Sequence, residues 1–355
     1  MQATRPACEI AKPCIEAPIV SVVMPVRNEA GFIRESLEAV LAQDYPADRM
    51  EILVADGMSE DGTREVIRQV SGSERVRIID NPERLTPMGL NRAYRASQGS
   101  IIVRIDGHCV VRPDYVRRCV ELLGEHGCEG VGGPIETIGT TWMSRAIAAA
   151  MSSSFGVGGS AFRVIKDREL WADTIPFPAY TRDAIQRVGL YDEELVRNQD
   201  DEYNARLRKA GGRLLMSPAL KSRYYSRSSL RSLARQYFQY GVWKVRVLQK
   251  HPRQMRWRHF VPAAFVLVLL AAILGAAVGV ASPTFAFMLA ASYLAALVFA
   301  TILDCRRVGW SYVTVLPLAY GILHLSYGSG FVLGLVRFWN RWGAHKTVPQ
   351  VQARC

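Results

Sequence analysis

Val20-Ser21-Val22-Val23-Met24-Pro25-Val26 is a short, β-branched and almost wholly apolar run that stops at Arg27-Asn28-Glu29-Ala30-Gly31. Helical spacing of Phe32, Ile33, Leu37, Val40 and Leu41 follows at once, so the stretch reads as strand, loop, helix. The pattern repeats at Glu51 to Ala55, with Asp56-Gly57-Met58-Ser59 as the loop and a helix expected from about Thr63 to Gln69. Further strands are expected at Val76 to Ile79 and Ile101 to Ile105, flanking a helix around Met88 to Ala96. Strands alternating with helices at this spacing make a largely parallel α/β sheet covered on both faces. Ligands of such sheets bind beyond the carboxyl ends of the strands, so Arg27 to Glu29, Asp56 and Asp106 are expected to share one crevice. Helix capping accounts for a polar side chain in any single one of these loops. At Asp56 capping stands level with the functional alternative, a carboxylate accepting hydrogen bonds from a base or ribose.

Outward from this core, the chain of 355 residues is long enough for a second module, and its composition changes sharply at Val261. Val261 to Ala281 and Phe285 to Leu303 are each long enough to cross a hydrocarbon core, which takes about 20 apolar residues, and Ser282-Pro283-Thr284 links them. They read as a transmembrane hairpin. A third stretch, Tyr312 to Val336, carries Pro317, His324 and Tyr327-Gly328-Ser329-Gly330, and reads either as a crossing or as a broken, re-entrant segment. The positive-inside rule favours the second, since a crossing puts Arg337, Arg341 and Lys346 outside.

The formal net charge of +12 is concentrated in part between Lys221 and Arg258, among Tyr, Phe and Trp, just before the apolar region. A juxtamembrane belt of this kind is attracted to anionic lipid by about 1 kcal/mol per residue; a solvated helix face is the alternative. This position, with no DNA-reading motif, sets nucleic-acid binding aside. The seven cysteines form no CxxC pair or zinc-like spacing and read as reduced thiols. MQATRPACEIAKPCIEAP has no apolar signal region, so the catalytic part is expected to face the cytoplasm, at the inner membrane.

Three motifs carry a family resemblance. Met24-Pro25-Val26-Arg27-Asn28-Glu29, Val54 to Thr63 (VADGMSEDGT) and Arg104-Ile105-Asp106-Gly107-His108 resemble the successive nucleotide-sugar motifs of family-2 glycosyltransferases with the GT-A fold. The pattern is nearest to the bacterial exopolysaccharide branch of ExoA-like succinoglycan glucosyltransferases, and Gly89-Leu90-Asn91-Arg92-Ala93 with Ala96-Ser97-Gln98-Gly99 fits the helix before the fourth strand. The resemblance implies a GT-A nucleotide-diphospho-sugar transferase domain with a mixed, largely parallel sheet, followed by transmembrane helices. It implies that Pro25, Arg27 and Glu29 line the nucleotide pocket, that Asp56 holds the base, and that Asp106 meets the ribose and the metal. The family's DxD is here Asp106-Gly107-His108, which makes His108 a candidate metal ligand beside Asp106. The cofactor the resemblance implies is a divalent ion, Mn²⁺ or Mg²⁺, imidazole suiting the former better.

Asn198-Gln199-Asp200-Asp201-Glu202-Tyr203 opens a helix with acids first and bases last, an order the helix macrodipole alone explains. By the resemblance, Gln199 replaces the Glu of the family's catalytic pair and Asp200 is the base, with Asp201 and Gln236 on the acceptor side. One base and in-line attack imply inversion, with no carboxylate nucleophile as in a retaining double displacement. Gln236-Tyr237-Phe238-Gln239-Tyr240 stands where processive synthases have QxxRW, which implies one sugar per encounter; Tyr237, Tyr240 and Trp243 also recur at helical spacing, as packing residues do. Phe155-Gly156-Val157-Gly158-Gly159-Ser160 is either an acceptor-side loop or an ordinary turn; it lacks the Gly-Lys-Ser of a phosphate loop.

The expected organisation is a tail over 1–18, the GT-A domain over 19–225, a basic aromatic interfacial segment over 226–258, a transmembrane region over 259–340 (261–281, 285–303, 312–336) and a tail over 341–355. The expected function is inverting, non-processive transfer of a hexose, glucose above all, from a UDP-sugar to a lipid-linked oligosaccharide in exopolysaccharide assembly, alongside other assembly proteins. Transfer to polyprenyl phosphate, and a silent nucleotide- or glycan-binding membrane scaffold, are the alternatives.

Overall fold

The computed structural model describes residues 17–165 and 167–343. The tails expected at 1–18 and 341–355, with Lys346, lie almost wholly outside them. Strand β1 (Val20–Val26) leads to α1 (Ile33–Leu41), β2 (Met50–Asp56) to α2 (Thr63–Gln69), and β3 (Val76–Asp80) to α3 (Thr86–Ala96). Strand β4 (Ile101–Arg104), β5 (Cys109–Val111), α4 (Tyr115–His126), β6 (Gly130–Gly132) and β7 (Ile135–Ile138) come next. Three helices, α5 (Trp142–Met151), α6 (Ser154–Val157) and α7 (Ala161–Val164), precede β8 (Leu170–Trp171), β9 (Ala179–Thr181) and α8 (Arg182–Val188). The globular part closes with α9 (Gln199–Lys209), β10 (Leu214–Met216) and β11 (Ser222–Tyr225).

The main sheet runs β3-β2-β1-β4-β9-β6-β10-β8. Its first four strands are parallel, in register from Val20 against Met50 and Ile101, whereas β9 runs against both β4 and β6. The sheet is therefore mixed and largely parallel, as expected. A small sheet, β5-β11-β7, stands beside it. The apolar run of β1 has its cause in two-sided burial: Val20, Val22, Met24 and Val26 join Ile33, Leu37 and Val40 of α1 in one core. Val23 faces the other way, into a second core with Leu90, Ala93 and Tyr94 of α3. Side chains alternate along a strand, so a strand covered on both faces has no polar side to show. Ser21 is the exception, and it accepts from the Gly99 N–H (2.8 Å) and donates to Glu51.

Four longer helices follow: α10 (Leu230–Lys250), α11 (Val261–Ala277), α12 (Pro283–Val308) and α13 (Leu316–Arg337). By length and composition α12 and α13 are candidate membrane spans, whereas α11, at 17 residues, is shorter. That differs from the expected hairpin of 261–281 with 285–303: the first helix gives way at Val278, before Gly279 in the left-handed region (φ 74°). The third apolar stretch is one unbroken helix, so its glycines are not a break. They let backbones approach instead. A Cβ on Gly330 would lie 2.1 Å from the Phe238 carbonyl oxygen of α10, and one on Gly328 would lie 2.4 Å from that of Pro262 in α11.

The basic segment is also used differently from a uniform lipid-facing belt. Lys244 donates to Asp201 (2.7 Å), Arg246 grips Glu194 (2.9 and 3.0 Å), and Lys250 bonds Asp192 and Glu194, all buried or nearly so. These cations are turned toward the carboxylates of the 192–201 region and dock α10 on it. Arg231, Arg235 and Arg253 remain exposed.

Candidate active site

The loops after β1 and β2 are built on one another. Asn28 takes a left-handed backbone (φ 53°), its N–H donates to Ser59 Oγ (2.9 Å), and its side-chain oxygen accepts from the Glu60 N–H (3.0 Å). Glu29 N–H donates to Thr63 Oγ1 (2.8 Å) and Ala30 N–H to Asp61 Oδ2 (3.0 Å). Much of the acidic, hydroxyl-rich stretch after β2 therefore serves to shape the loop carrying Arg27 and Glu29. Hydrogen bonds from Thr63 and from backbone N–H groups hold the Asp61 carboxyl below its usual range despite the opposing effect of burial.

Asp56 takes a place other than the expected one. It is fully buried, accepting from Ser59 Oγ (2.5 Å), the Ser59 N–H (3.2 Å) and Arg64 Nε (2.5 Å). Ala55 and Gly57 line the adjoining cavity, and Asp56 does not. Its carboxylate closes the turn and aims Arg64, whose other arm reaches Asp80 (2.5 Å).

That cavity, of about 1310 Å³, opens at the carboxyl ends of β1, β2 and β4 and extends toward α10, α11 and α13. Every other site residue expected from the sequence lines it: Pro25, Arg27 and Glu29, Asp106 and His108, Gln199, Asp200 and Asp201, and Gln236. Arg27 lies across Gly57 and donates to the Arg84 carbonyl (3.3 Å).

Arg104, the last residue of β4, ties the two halves of the site together. It is 4% exposed and makes a two-pronged contact with Asp106 (2.7 and 3.1 Å) while its third nitrogen bonds Asp200 Oδ1. Sequence reasoning gave it no role, although a charged residue ending an apolar strand buried on both faces was the signal. Asp200 stands in the first turn of α9, after Asn198 in a left-handed conformation (φ 59°). Burial pushes its carboxyl up to about 6; the Arg104 charge opposes this, while Asp106 and Asp201 add to it. Arg104 occupies one oxygen, the side chain is 29% exposed, and the other oxygen, with no hydrogen-bond partner among the described residues, can accept a proton.

His108 pairs through Nδ1 with Glu29 Oε1 (2.9 Å), and its ring meets Tyr224 edge-on with centroids 4.9 Å apart. A carboxylate on one ring nitrogen fixes tautomer and orientation and leaves Nε2 as the basic atom. Among the described residues no group of three or more His, Cys, Asp or Glu could hold a metal. Asp106 and His108 both line the cavity, and Arg104 holds both oxygens of Asp106.

Of the residues expected on the acceptor side, Gln199 is 7% exposed, and Asp201, against the effect of burial, is held below the usual carboxylate range by Lys244. Gln236 Nε2 donates to the Tyr240 hydroxyl (2.9 Å), and its Oε1 is buried without a partner among the described residues.

Residues 21–189 match the family described as Glycosyl transferase family 2. The chain is 33% identical to the succinoglycan biosynthesis protein ExoA of Rhizobium meliloti (strain 1021), over 71% of this chain and 77% of that protein. It is 28% identical to a dolichyl N-acetyl-alpha-D-glucosaminyl phosphate 3-beta-D-2,3-diacetamido-2,3-dideoxy-beta-D-glucuronosyltransferase of Methanococcus voltae, over 90% of this chain and 97% of that one. In fold it is similar to the mannosyltransferase PcManGT of Pyrobaculum calidifontis, solved with GDP-Man and Mn²⁺, with a TM-score of 0.59 at 19% identity, covering 90% and 91% of the two chains.

Proposed function

The chain belongs to glycosyltransferase family 2 and is a glycosyltransferase with a GT-A fold, and from that premise we propose that it moves a hexose, glucose above all, from a UDP-sugar to a hydroxyl of a lipid-linked saccharide, with inversion and one sugar at a time. Family membership sets the silent-scaffold alternative aside. The observation that carries the proposal is Asp200: a carboxylate with one free oxygen, facing the cavity, whose proton affinity burial raises to about 6. A general base works best with a pKa near the operating pH and must first be within reach of the proton.

The acceptor oxygen attacks the anomeric carbon as the bond from that carbon to the donor phosphate breaks. The proton passes to Asp200 and the electron pair leaves with UDP. Attack from the face opposite the leaving group inverts the centre, so an α-linked donor gives a β-linked product. Arg104 keeps Asp200 and Asp106 in fixed relation, and Arg27 and Glu29 shape the nucleotide side. Asp106 and His108 would hold a divalent ion, Mn²⁺ fitting the nitrogen ligand better than Mg²⁺, which as a Lewis acid stabilises charge on a departing diphosphate.

The Methanococcus relative's name specifies a sugar carried on dolichyl phosphate and a β linkage, and the Rhizobium relative's name specifies succinoglycan biosynthesis. The first supports a lipid-linked saccharide acceptor and the second a role in polysaccharide assembly, and we infer the two together, with other assembly proteins as partners. The candidate spans α12 and α13 support an inner-membrane location, the cavity facing the cytoplasm, where sugar nucleotides are made. Detergent-purified protein given UDP-glucose, Mn²⁺ and a membrane-lipid extract should release UDP faster than without lipid, and linkage analysis should find one added β-linked sugar. An added α-linked sugar, or a chain of them, would overturn the reading.

A further inference from the structure

One corner of the cavity holds positive charge that the proposed chemistry does not use. Arg163, on α7, is 9% exposed and lines the cavity. Among the described residues it makes one hydrogen bond, from Nη1 to Thr137 Oγ1 (3.2 Å), and rests 5.4 Å from the Phe162 ring centre. A guanidinium carries five N–H donors, and burying one without a counter-charge is costly. No carboxylate pairs with it among the described residues, and none pairs with Arg227, which lines the same cavity. Thr137 pairs with Tyr224 across β7 and β11, and Arg227 follows β11 by two residues, which brings both guanidiniums to one end of the small sheet. Of the cavity's other cations, Arg104 is matched by Asp106 and Asp200 and Lys244 by Asp201, whereas Arg27, Arg197 and Arg258, which have no ion pair among the described residues, are less buried than Arg163.

The loop before Arg163 leans on the apolar helices. The Gly159 carbonyl accepts from Arg258 Nη1 (3.2 Å), three residues ahead of α11, and the Phe155 carbonyl accepts from His324 Nε2 (2.8 Å) on α13. From there the cavity wall continues through Val261, Pro262, Phe265 and Leu323. An unmatched buried cation beside an apolar wall suits a ligand that is anionic at one end and hydrocarbon at the other.

We propose that Arg163 and Arg227 bind the phosphate or diphosphate joining the acceptor's saccharide to its lipid, with the hydrocarbon lying along the wall of α11 and α13. This rests on the acceptor class proposed above and assigns its anchoring site. The donor's diphosphate is the other source of the same chemistry. Arg163 lies with the helix-side loop, whereas the donor motifs lie at the ends of β1, β2 and β4, which favours the acceptor.

The test is calorimetric titration of the full chain in detergent with three probes: farnesyl diphosphate, inorganic pyrophosphate and UDP. Farnesyl diphosphate should bind the wild type more tightly than pyrophosphate does. Arg163→Gln should weaken farnesyl diphosphate at least ~10-fold, as expected for losing a charge-assisted fork, and Arg163→Lys should fall between, keeping the charge without the fork. UDP affinity should change less than ~2-fold in both variants, which also reports that they are folded. Farnesyl diphosphate binding unchanged in Arg163→Gln overturns the proposal. So does an equal loss of UDP affinity with normal thermal unfolding, which assigns Arg163 to the donor, and so does pyrophosphate binding as tightly as farnesyl diphosphate, which removes the lipid. The titrations need no turnover, so a wrong reaction would leave them unaffected while abolishing transfer.

Discussion

Replacing Arg104 by glutamine should move the acid limb of the pH–rate profile upward. Arg104 bonds Asp200 directly and lowers its proton affinity, against the raising effects of burial, Asp106 and Asp201. A carboxylate that loses a positive neighbour becomes harder to ionise, so the sign is a rise. Two unit charges about 4 Å apart at an effective dielectric of about 20 interact by about 4 kcal/mol, equivalent to roughly three pKa units. Water entering the space left by the guanidinium, and the partial exposure of Asp200 (29%), screen part of that, leaving about one to two units. The assay is kcat/KM for transfer from about pH 5 to about pH 9 in wild type and Arg104→Gln, under saturating metal, since that profile reports ionisations of the free enzyme. The wild-type limb should fall near 6 and the variant's above it. Because Arg104 also holds Asp106, the plateau will drop as well, so the limb's position is what decides. A limb that stays in place or moves down would refute the assignment of Asp200 as the titrating base under Arg104's control.

Three further outcomes follow from the geometry. Glu29→Gln removes the carboxylate that orients His108 and should raise the Mn²⁺ concentration for half-maximal activity about 10- to 100-fold; an unchanged metal titration would show that His108 does not ligate. Asp56→Asn weakens the buried end of the Asp56–Arg64–Asp80 pairing and should lower thermal stability by about 1–3 kcal/mol, seen as a lower melting temperature, more than a mere base contact would. Gly330→Val drives a side chain into the Phe238 carbonyl and should destabilise the α10–α13 pair by more than the ~1–3 kcal/mol of ordinary overpacking. Gly321→Ala, with nothing within 4 Å of the added Cβ, should melt like wild type.

The first half of the sheet was legible because each of its strands is a mostly apolar run ending in a polar loop, as in Val20 to Val26. The second half was not: β8 spans two residues and β6, β9 and β10 three each, too short for any periodicity to register. Site residues grouped on successive loops were readable as a crevice, but the hydrogen bonds that divide the work among them were not. Glu29 and His108 are 79 positions apart, and nothing in either motif announces their pairing. Asp56 looked available because a motif does not reveal that Ser59 and Arg64 fold back on it. The glycines of α13 read as a break because a helix glycine is ambiguous until the backbone it approaches is known. Lys244, Arg246 and Lys250 read as a lipid-facing charge because their partners Asp201, Glu194 and Asp192 lie over 40 residues earlier.

Transfer by Asp200→Asn tests the central claim most directly. With a UDP-sugar, Mn²⁺ and the lipid-linked saccharide, the variant should lose about 10²- to 10⁴-fold in kcat, the range for removing a general base, while its UDP affinity stays close to wild type. A variant that keeps its rate within a few-fold would contradict the account and point to an acceptor already anionic at the attacking oxygen, a polyprenyl phosphate, which needs no base.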